Sequence, residues 1–390
     1  MAKRLAQALG VDIGTQTIKV AAIKQAGDGP TITSVGMAPT IEGAVDQSGV
    51  SQAAPIAGAL KELVAGVGGG IKDIIYCVNG QSAVVTRVLE VPRMSDAELQ
   101  QHMSWEIQRN IPFAETNVVS DFRMIDNPAL ANSQNMEVVM AVSPQSAIDT
   151  VLQISKLAGL KVAAIDVEPL GLGRVLHTCH AGDVGNKDVC LVHIGHSTTA
   201  INMYRQGMLA FCRTVLMGGS ALTRAIADAL NIPAYEAEEK KRMSAAVSET
   251  AGQVTTQMVG GDFQPYNPFA GEDTGQTQQM PAEALAASGD PKINSAVYPQ
   301  VDEFVAELRR SIDYWRNRGG EIHSVVLSGG GSKLTGLDKF VERSLGLPVA
   351  RLNPFQGLNV ALSGDAEQLA KDNAGEFAVA VGMGLHICYD

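Results

Sequence analysis

Residues 11–17 read VDIGTQT and residues 192–198 read VHIGHST, a near copy with His193 where the first has Asp12. Each sits in a longer shared plan. LGVDIGTQTIKVAAIK at 9–24 and VCLVHIGHSTTAINMY at 189–204 are both an apolar strand, a polar turn opening on Gly14 or Gly195, and a second apolar strand. A strand, a glycine and a threonine are also ordinary hairpin ingredients. The second copy, however, falls near the midpoint of the chain, where a duplicated domain puts it. Chemistry gives a reason to keep such a turn twice. Glycine lets the backbone approach a ligand closely, and successive N–H groups with Ser or Thr hydroxyls form a concavity for an anion. Two facing turns can clamp a polyphosphate. Asp12, at the first strand end, carries the hard oxygen that Mg2+ or its bound water prefers.

A third glycine-rich element points the same way. IHSVVL at 322–327 has the pattern of a buried strand and runs into Ser328, Gly329, Gly330, Gly331 and Ser332, after which GLDKFVERSLG predicts a helix. A strand feeding glycines and then a helix start is a geometry that receives a nucleotide. Three such turns, two of them repeats, predict a nucleotide held between two lobes.

The totals agree with that expectation. A chain of 390 residues is longer than one core organises, so two lobes are expected. Hydrophobic residues make up 45% and charged residues 18%, which is globular usage and excludes a wholly disordered chain. The formal charge of −11 argues against sequence-independent nucleic-acid binding, which needs clustered Lys and Arg. Five cysteines without a CxxC pair suggest reduced thiols rather than zinc or redox chemistry. The N-terminus has too few apolar residues for a signal peptide, and no run approaches the roughly 20 apolar residues of a spanning helix. The expectation is a soluble protein that reaches a membrane only through partners.

Between the turns lies an insert-like block. Ser95 to Glu98 is a capping-box pattern, and Leu99, Met103 and Ile107 follow as one apolar stripe until Pro112 stops the helix. Ser143 and Pro144 open a second helix, with Ile148, Val151, Leu152 and Leu157 on one side and Gly159 at its end. Strands MEVVMAVS at 136–143 and KVAAIDV at 161–167 flank it, predicting a small α/β subdomain. Residues 244–300 are rich in Gly, Gln, Thr, Ala and Pro with no sustained period, which predicts a flexible insertion. Its FQPYNPF stretch is a candidate interaction motif. Beyond it, Val301, Phe304, Val305, Leu308, Ile312 and Trp315 mark an amphipathic helix stopped by Gly319 and Gly320.

The two turns and the SGGGS element resemble the phosphate loops and adenosine motif of the actin, Hsp70 and sugar-kinase superfamily. Further stretches narrow the likeness: EVPRMSDAELQQHMSWEIQRNIPF at 90–113, KVAAIDVEPLGLGRVL at 161–176, GGSALTRAIADAL at 218–230 with AEEKK at 237–241, and LGLPVARLNPF at 345–355. Together these resemble the type IV pilus assembly protein PilM family, itself similar to the division protein FtsA. The resemblance implies an α/β, duplicated actin-like (ribonuclease-H-like) two-lobe ATP-binding fold with a small inserted α/β subdomain. It places the N-terminal part of the first lobe at 1–83, the inserted partner-binding subdomain at 84–165, and a connecting segment at 166–188. The second lobe then spans 189–355 with its insertion at 244–300, and residues 356–390 return to the first lobe.

The same resemblance implies ATP or ADP with Mg2+. Asp12 would hold Mg2+ through water, and phosphate contacts would come from Gly14, Thr15, Gln16 and Thr17 and from Gly195, His196, Ser197 and Thr198. Gly218 and Gly219 would belong to the second-lobe nucleotide wall, Glu238 and Lys241 would lie near ribose and adenine, and Gly329, Gly330, Gly331 and Ser332 would back the adenosine. Glu168 resembles a glutamate that orients attacking water; its alternative is a strand-end surface carboxylate. The inserted subdomain would take the N-terminal cytoplasmic tail of a PilN-type inner-membrane protein. Trp105, Ile111, Pro112 and Phe113 would support that surface or else pack in a core. The implied role is a cytoplasmic scaffold, peripheral to the inner membrane, that helps assemble the platform. Other platform proteins or the assembly ATPase are further expected partners; nucleic acid is not.

His193 departs from the family, which usually has Asp there. Imidazole is a poor Mg2+ ligand, and with an ordinary pKa near 6.5 it can carry charge beside a phosphate. Losing a positioned acid–base or water-orienting group slows chemistry about 10²–10⁴-fold, so nucleotide binding with weak or absent hydrolysis is the expectation. The alternative is that His193 packs or caps its strand and another group compensates. Two other roles compete with the scaffold: an FtsA-like filament-forming ATPase and a type II secretion platform component. FtsA-type chains usually continue into a linker and an amphipathic membrane helix, whereas this sequence stops at GMGLHICYD. A secretion component of the GspL kind would need a spanning helix. A sugar-kinase role would need a second carboxylate at the first phosphate turn, and none is evident there.

Overall fold

Unbroken apolar runs make strands that are buried on both faces. In the computed structural model the first such run is β1 (Gln7–Ile13), which pairs antiparallel with β2 (Thr17–Ala26), which in turn pairs antiparallel with β3 (Gly29–Pro39). The described residues are 5–27, 29–67, 69–113, 116–127, 130, 133–185, 187–247 and 289–389. A two-residue ribbon, β4 (Val45–Asp46) with β5 (Gly49–Val50), leads into α1 (Ala53–Val67), and β6 (Asp73–Val78) then lies parallel to β1.

The chain next leaves this sheet to build β7 (Val85–Pro92), α2 (Asp96–Asn110), β8 (Val118–Ile125) and β9 (Asn135–Pro144). These strands form their own sheet in the order β7-β9-β8. The capping box is present: the Ser95 side chain accepts from the Glu98 N–H at 3.4 Å, and the Ser95 N–H donates to Glu98 Oε2 at 2.9 Å. The predicted stripe Leu99, Met103 and Ile107 is buried with Met136, Val138, Met140 and Val142 of β9. Helix α3 (Gln145–Ala158) follows, ending on left-handed Gly159, and β10 (Lys161–Val167) pairs parallel with β6. Thus 161–167, expected to flank the helix within the inserted subdomain, is the outer strand of the first sheet. A parallel neighbour needs a crossover, and α3 supplies it while packing against α1.

The second half repeats the plan. After α4 (Glu168–Cys179) and α5 (Ala181–Val184) come β11 (Asp188–Ile194), β12 (Thr199–Arg205) and β13 (Met208–Val215), each antiparallel to the one before. Helices α6 (Gly219–Leu230), α7 (Ala234–Ser244) and α8 (Pro291–Asn317) follow, then β14 (Ser324–Ser328), α9 (Leu337–Leu345) and β15 (Val349–Arg351). The chain closes with β16 (Asn359–Val360), α10 (Asp365–Asp372) and α11 (Ala378–Gly384). The first sheet runs β10-β6-β1-β2-β3-β16 and the second β13-β12-β11-β14-β15. Read from the hairpin outward, five strands of each sheet follow one order, with two antiparallel and two parallel pairings, and the first sheet adds β16 parallel to β3. The repeated turn is the seed of a repeated sheet.

The chain divides into two compact units: Met1–Gly219 with Arg310–Ser332 and Leu347–Asp390, and Ser220–Arg309 with Lys333–Gly346. The first unit contains all the sheets. Its main core joins Ile23 of β2, Leu191 of β11, Tyr204 of β12, Leu172 of α4 and the fully buried α11. A second cluster packs Leu9, Val11 and Tyr76 against Ile56 and Leu60 of α1 and Ile154 of α3. In the second unit, Asn294 Oδ1 accepts the Ala246 N–H at 2.9 Å, Ala246 bridges to Thr335, and Tyr298 meets Phe340 edge-on. Most of the insertion expected at 244–300, including FQPYNPF, lies outside the described residues. Among the described residues no helix is long and apolar enough to cross a membrane.

Candidate functional site

Both turns close in the same way. The Gly14 N–H donates to the Thr17 carbonyl at 3.0 Å, and the Gly195 N–H donates to the Thr198 carbonyl at 2.9 Å. Each turn is tied to its own half: Thr40 Oγ1 donates to the Gly14 carbonyl at 2.7 Å, and the Gly219 N–H donates to that of Gly195 at 2.9 Å. The two turns also meet. Ser197 Oγ donates to Thr15 Oγ1 at 3.1 Å, so the hydroxyl-bearing edges of the duplicated hairpins face each other. Gly218 is required by crowding, because a Cβ there would stand 2.6 Å from the His196 carbonyl oxygen.

The third glycine element joins the second turn. Gly329 has φ +81°, and a Cβ on it would collide with the Ile194 carbonyl at the end of β11. Its N–H donates to the Gly375 carbonyl at 3.0 Å, and Ser332 Oγ donates back to the Gly329 carbonyl at 2.6 Å. Gly330 to Lys333 form a 3-10 turn, and the helix expected in GLDKFVERSLG follows as Leu337–Leu345. Glu238 and Lys241 lie in the second unit on α7. There Glu238 Oε2 accepts from Lys241 Nζ and Thr223 Oγ1, both at 2.6 Å. Burial raises the Glu238 pKa, but these hydrogen bonds outweigh it and hold the carboxyl at about 2.

Charge at the strand ends differs between the halves. The hairpin register sets Asp12 directly opposite Lys19, and the two form a buried ion pair at 3.0 Å. Asn79 Nδ2 donates to the other Asp12 oxygen at 3.4 Å. In the second copy the corresponding pair is His193 opposite Ala200. Both charges have gone together. His193 Nδ1 instead lies 3.3 Å from Ser328 Oγ, its neighbour on β14. Burial lowers the His193 pKa to about 4, with Asp12 opposing and Lys19 reinforcing that shift, so the ring is neutral at pH 7. It carries no charge for a phosphate.

Glu168 stands at the N-terminus of α4, and its buried Oε1 has no hydrogen-bond partner among the described residues. Burial first, and the Asp12 charge second, push its pKa up to about 8, with Lys19 opposing. The next residue is anchored from the second sheet: Tyr204 Oη donates to the Pro169 carbonyl at 2.5 Å. Lys19, Asn79 and Tyr204 were absent from the sequence-based site, and Ser328 entered it only as the first residue of the SGGGS element. A lysine inside the apolar run IKVAAI was the available signal for Lys19, since such a residue is buried only when paired. On the inserted sheet, Ile111 is buried and Phe113 packs against its cluster. Pro112 is exposed. Trp105 is 53% exposed, with the Arg109 guanidinium 5.3 Å from its ring centre, so it is not a core residue.

A protein-held Mg2+ does not fit these residues. The oxygens of Asp12 are engaged by Lys19 and Asn79, the second strand end offers a neutral nitrogen, and among the described residues no three metal-ligating side chains converge.

A family model for type IV pilus assembly protein PilM matches residues 10–257. The chain belongs to the PilM family. An FtsA family model matches residues 190–382. Among curated relatives, FtsA of Neisseria meningitidis serogroup B is 27% identical over 206 residues, 52% of this chain and 45% of that protein. FtsA of Pseudomonas aeruginosa is 31% identical over 199 residues, 50% of this chain and 42% of its own. The chain thus spans less than half the length of these two relatives. A solved PilM-PilN type IV pilus biogenesis complex matches at a TM-score of 0.78 with 25% identity, covering 99% of both chains. The chain is a PilM-family protein of type IV pilus assembly with an actin-like fold.

Proposed function

We propose that this PilM-family chain is a nucleotide-binding scaffold that holds ATP or ADP on its paired turns and hydrolyses it slowly or not at all. The observation that carries this reading is the meeting of the two turns, Ser197 on Thr15, with a neutral His193 at the second strand end. Within Gly14 to Thr17 and Gly195 to Thr198, the amides not already bonded inside the turn, the side-chain hydroxyls, and the Lys19 ammonium are the groups suited to phosphate oxygens. Water activation is poorly served: His193 is a weak base, and a Glu168 carboxyl with a pKa of about 8 is largely protonated at pH 7. On one purified sample, ATP should raise the melting temperature while phosphate release stays near background. Absence of any thermal shift with ATP or ADP would overturn the reading.

The partner proposed for the scaffold is the cytoplasmic N-terminal tail of a PilN-type inner-membrane protein, docking on the inserted sheet. The similarity to a PilM-PilN complex supports this partner, and exposed Trp105 beside Arg109 supports the surface. Association with the inner face of the membrane would follow from that partner. The FtsA match over the second half favours one other reading, a filament-forming ATPase. Rapid turnover abolished by Glu168→Ala would select it over the scaffold.

A further inference from the structure

The two edges of the inserted sheet differ. Strand β7 is met by β13, where Cys212 Sγ donates to the Thr86 carbonyl at 3.2 Å. Strand β8 has no neighbour beyond it among the described residues. It runs Val118–Ile125 with no proline and no register shift against β9, and Val119 and Met124 stand 40% and 53% exposed on it. A long edge with exposed apolar side chains is a template for another strand. The Phe122 N–H donates to Oδ1 of its own neighbour Asp121 at 2.8 Å, so it is turned away from β9. Alternate residues of an antiparallel strand turn their backbone polar groups the same way. Ser120 and Met124 therefore present theirs outward together with Phe122.

We propose that β8 pairs antiparallel with β8 of a second copy of this chain, about a two-fold axis at Phe122, joining two inserted sheets into one. Charge selects both the occupant and the register. Centred on Phe122, the pairing sets Asp121 opposite Arg123 of the second copy, twice by symmetry, and Val119 opposite its Ile125. The two Phe122 rings then form a cross-strand pair on the face that carries α2. The smallest slip that keeps outward backbone groups facing each other sets Asp121 on Asp121, or Arg123 on Arg123, and like charges directly opposite are destabilising. Asp121 and Arg123 are both exposed, and neither is held in an ion pair among the described residues. On pairing, the Asp121 carboxylate exchanges the Phe122 N–H for the guanidinium of the second copy, and that N–H turns to the Phe122 carbonyl across the axis. One strand edge buries little area, so the dimer is weak and depends on concentration. The inference stands apart from the nucleotide reading.

Sedimentation velocity and amide hydrogen exchange on the intact protein, without nucleotide and over rising protein concentration, test the pairing. A monomer–dimer equilibrium is expected, with the amides of Ser120, Phe122 and Met124 exchanging more slowly as the dimer forms. Asp121→Arg and Arg123→Asp should each weaken the dimer roughly tenfold, because two like-charge pairs replace two ion pairs. Combining the two substitutions in one chain should restore it. Both side chains are exposed, so an unchanged melting temperature is expected for each variant, and the exchange measurement needs no variant at all. A monomer at every concentration overturns the inference. So does a dimer that ignores the single substitutions, is not restored by the double one, or leaves the three amides unprotected. Protection that appears only when the tail peptide of the membrane partner is added gives the edge to that peptide and overturns the inference too.

Discussion

Asp12–Lys19 on one strand end and His193–Ala200 on the other are the residue-scale difference between the halves. Restoring the carboxylate alone, as His193→Asp, puts a charge opposite alanine with no cation to meet it. An uncompensated buried charge costs about 3–5 kcal/mol, so chemical denaturation should show a large loss of stability. A double variant with Ala200→Lys should recover part of it, because the first hairpin supplies that pair. Glu168 and His193 also give opposite pH dependences. The Glu168 pKa is raised from 4.5 to about 8, so its contribution is present below about 4.5 and lost as pH rises through 8. The His193 pKa is lowered from 6.5 to about 4, so its contribution is present above 6.5 and lost as pH falls through 4. Melting temperatures between pH 5 and 8 should decline less steeply with rising pH for Glu168→Gln than for the unsubstituted protein. An unchanged slope would count against a buried, proton-holding Glu168. The glycines and hydroxyls of the turns were legible because backbone chemistry restricts them to few residue types. Lys19 and Ser328 were harder, since each matters through its register with another strand. The Lys19 register was recoverable by counting outward from Gly14–Thr17, whereas that of Ser328 depends on a parallel strand far along the chain.

At the scale of elements, α2 was readable in full, because a capping box and a three-residue apolar stripe are local signals. Ser95→Ala should cost about 1 kcal/mol, seen as a lower denaturation midpoint for the inserted sheet. Trp105→Ala should leave stability within about 0.5 kcal/mol, since its ring is mostly exposed, yet weaken capture of the partner peptide. A loss of stability without a loss of binding would move Trp105 back to a packing role. The sheet that β10 joins was not readable, because apolar runs reveal strands without revealing their neighbours. Strand β12 holds a different surprise. Asn202 lies at its centre, fully buried, with neither amide atom hydrogen-bonded among the described residues. A buried unpaired polar group costs about 1–3 kcal/mol, so Asn202→Leu should raise the melting temperature. A fall would mean that its amide has a partner in solution.

For the whole molecule, duplication visible in seven residues extends to two sheets that share a five-strand order. The inserted sheet is tied to the second half as well as to the first: Cys212 Sγ donates to the Thr86 carbonyl at 3.2 Å, and Arg205 Nη1 donates to Glu137 Oε1 at 3.4 Å. Arg205 also lies over the Trp315 ring, 4.9 Å from its centre. The sequence could not show these ties, because they join strands separated by long stretches of chain. What unites the scales is the claim that the facing turns take one triphosphate. A crystal structure of the protein with a non-hydrolysable ATP analogue tests it most directly. The account predicts phosphates on the Gly14–Thr17 and Gly195–Thr198 turns, with the Ser197–Thr15 hydrogen bond replaced by bonds to the ligand. Phosphates bound elsewhere, or the two hydroxyls still bonded to each other in the loaded protein, would contradict it.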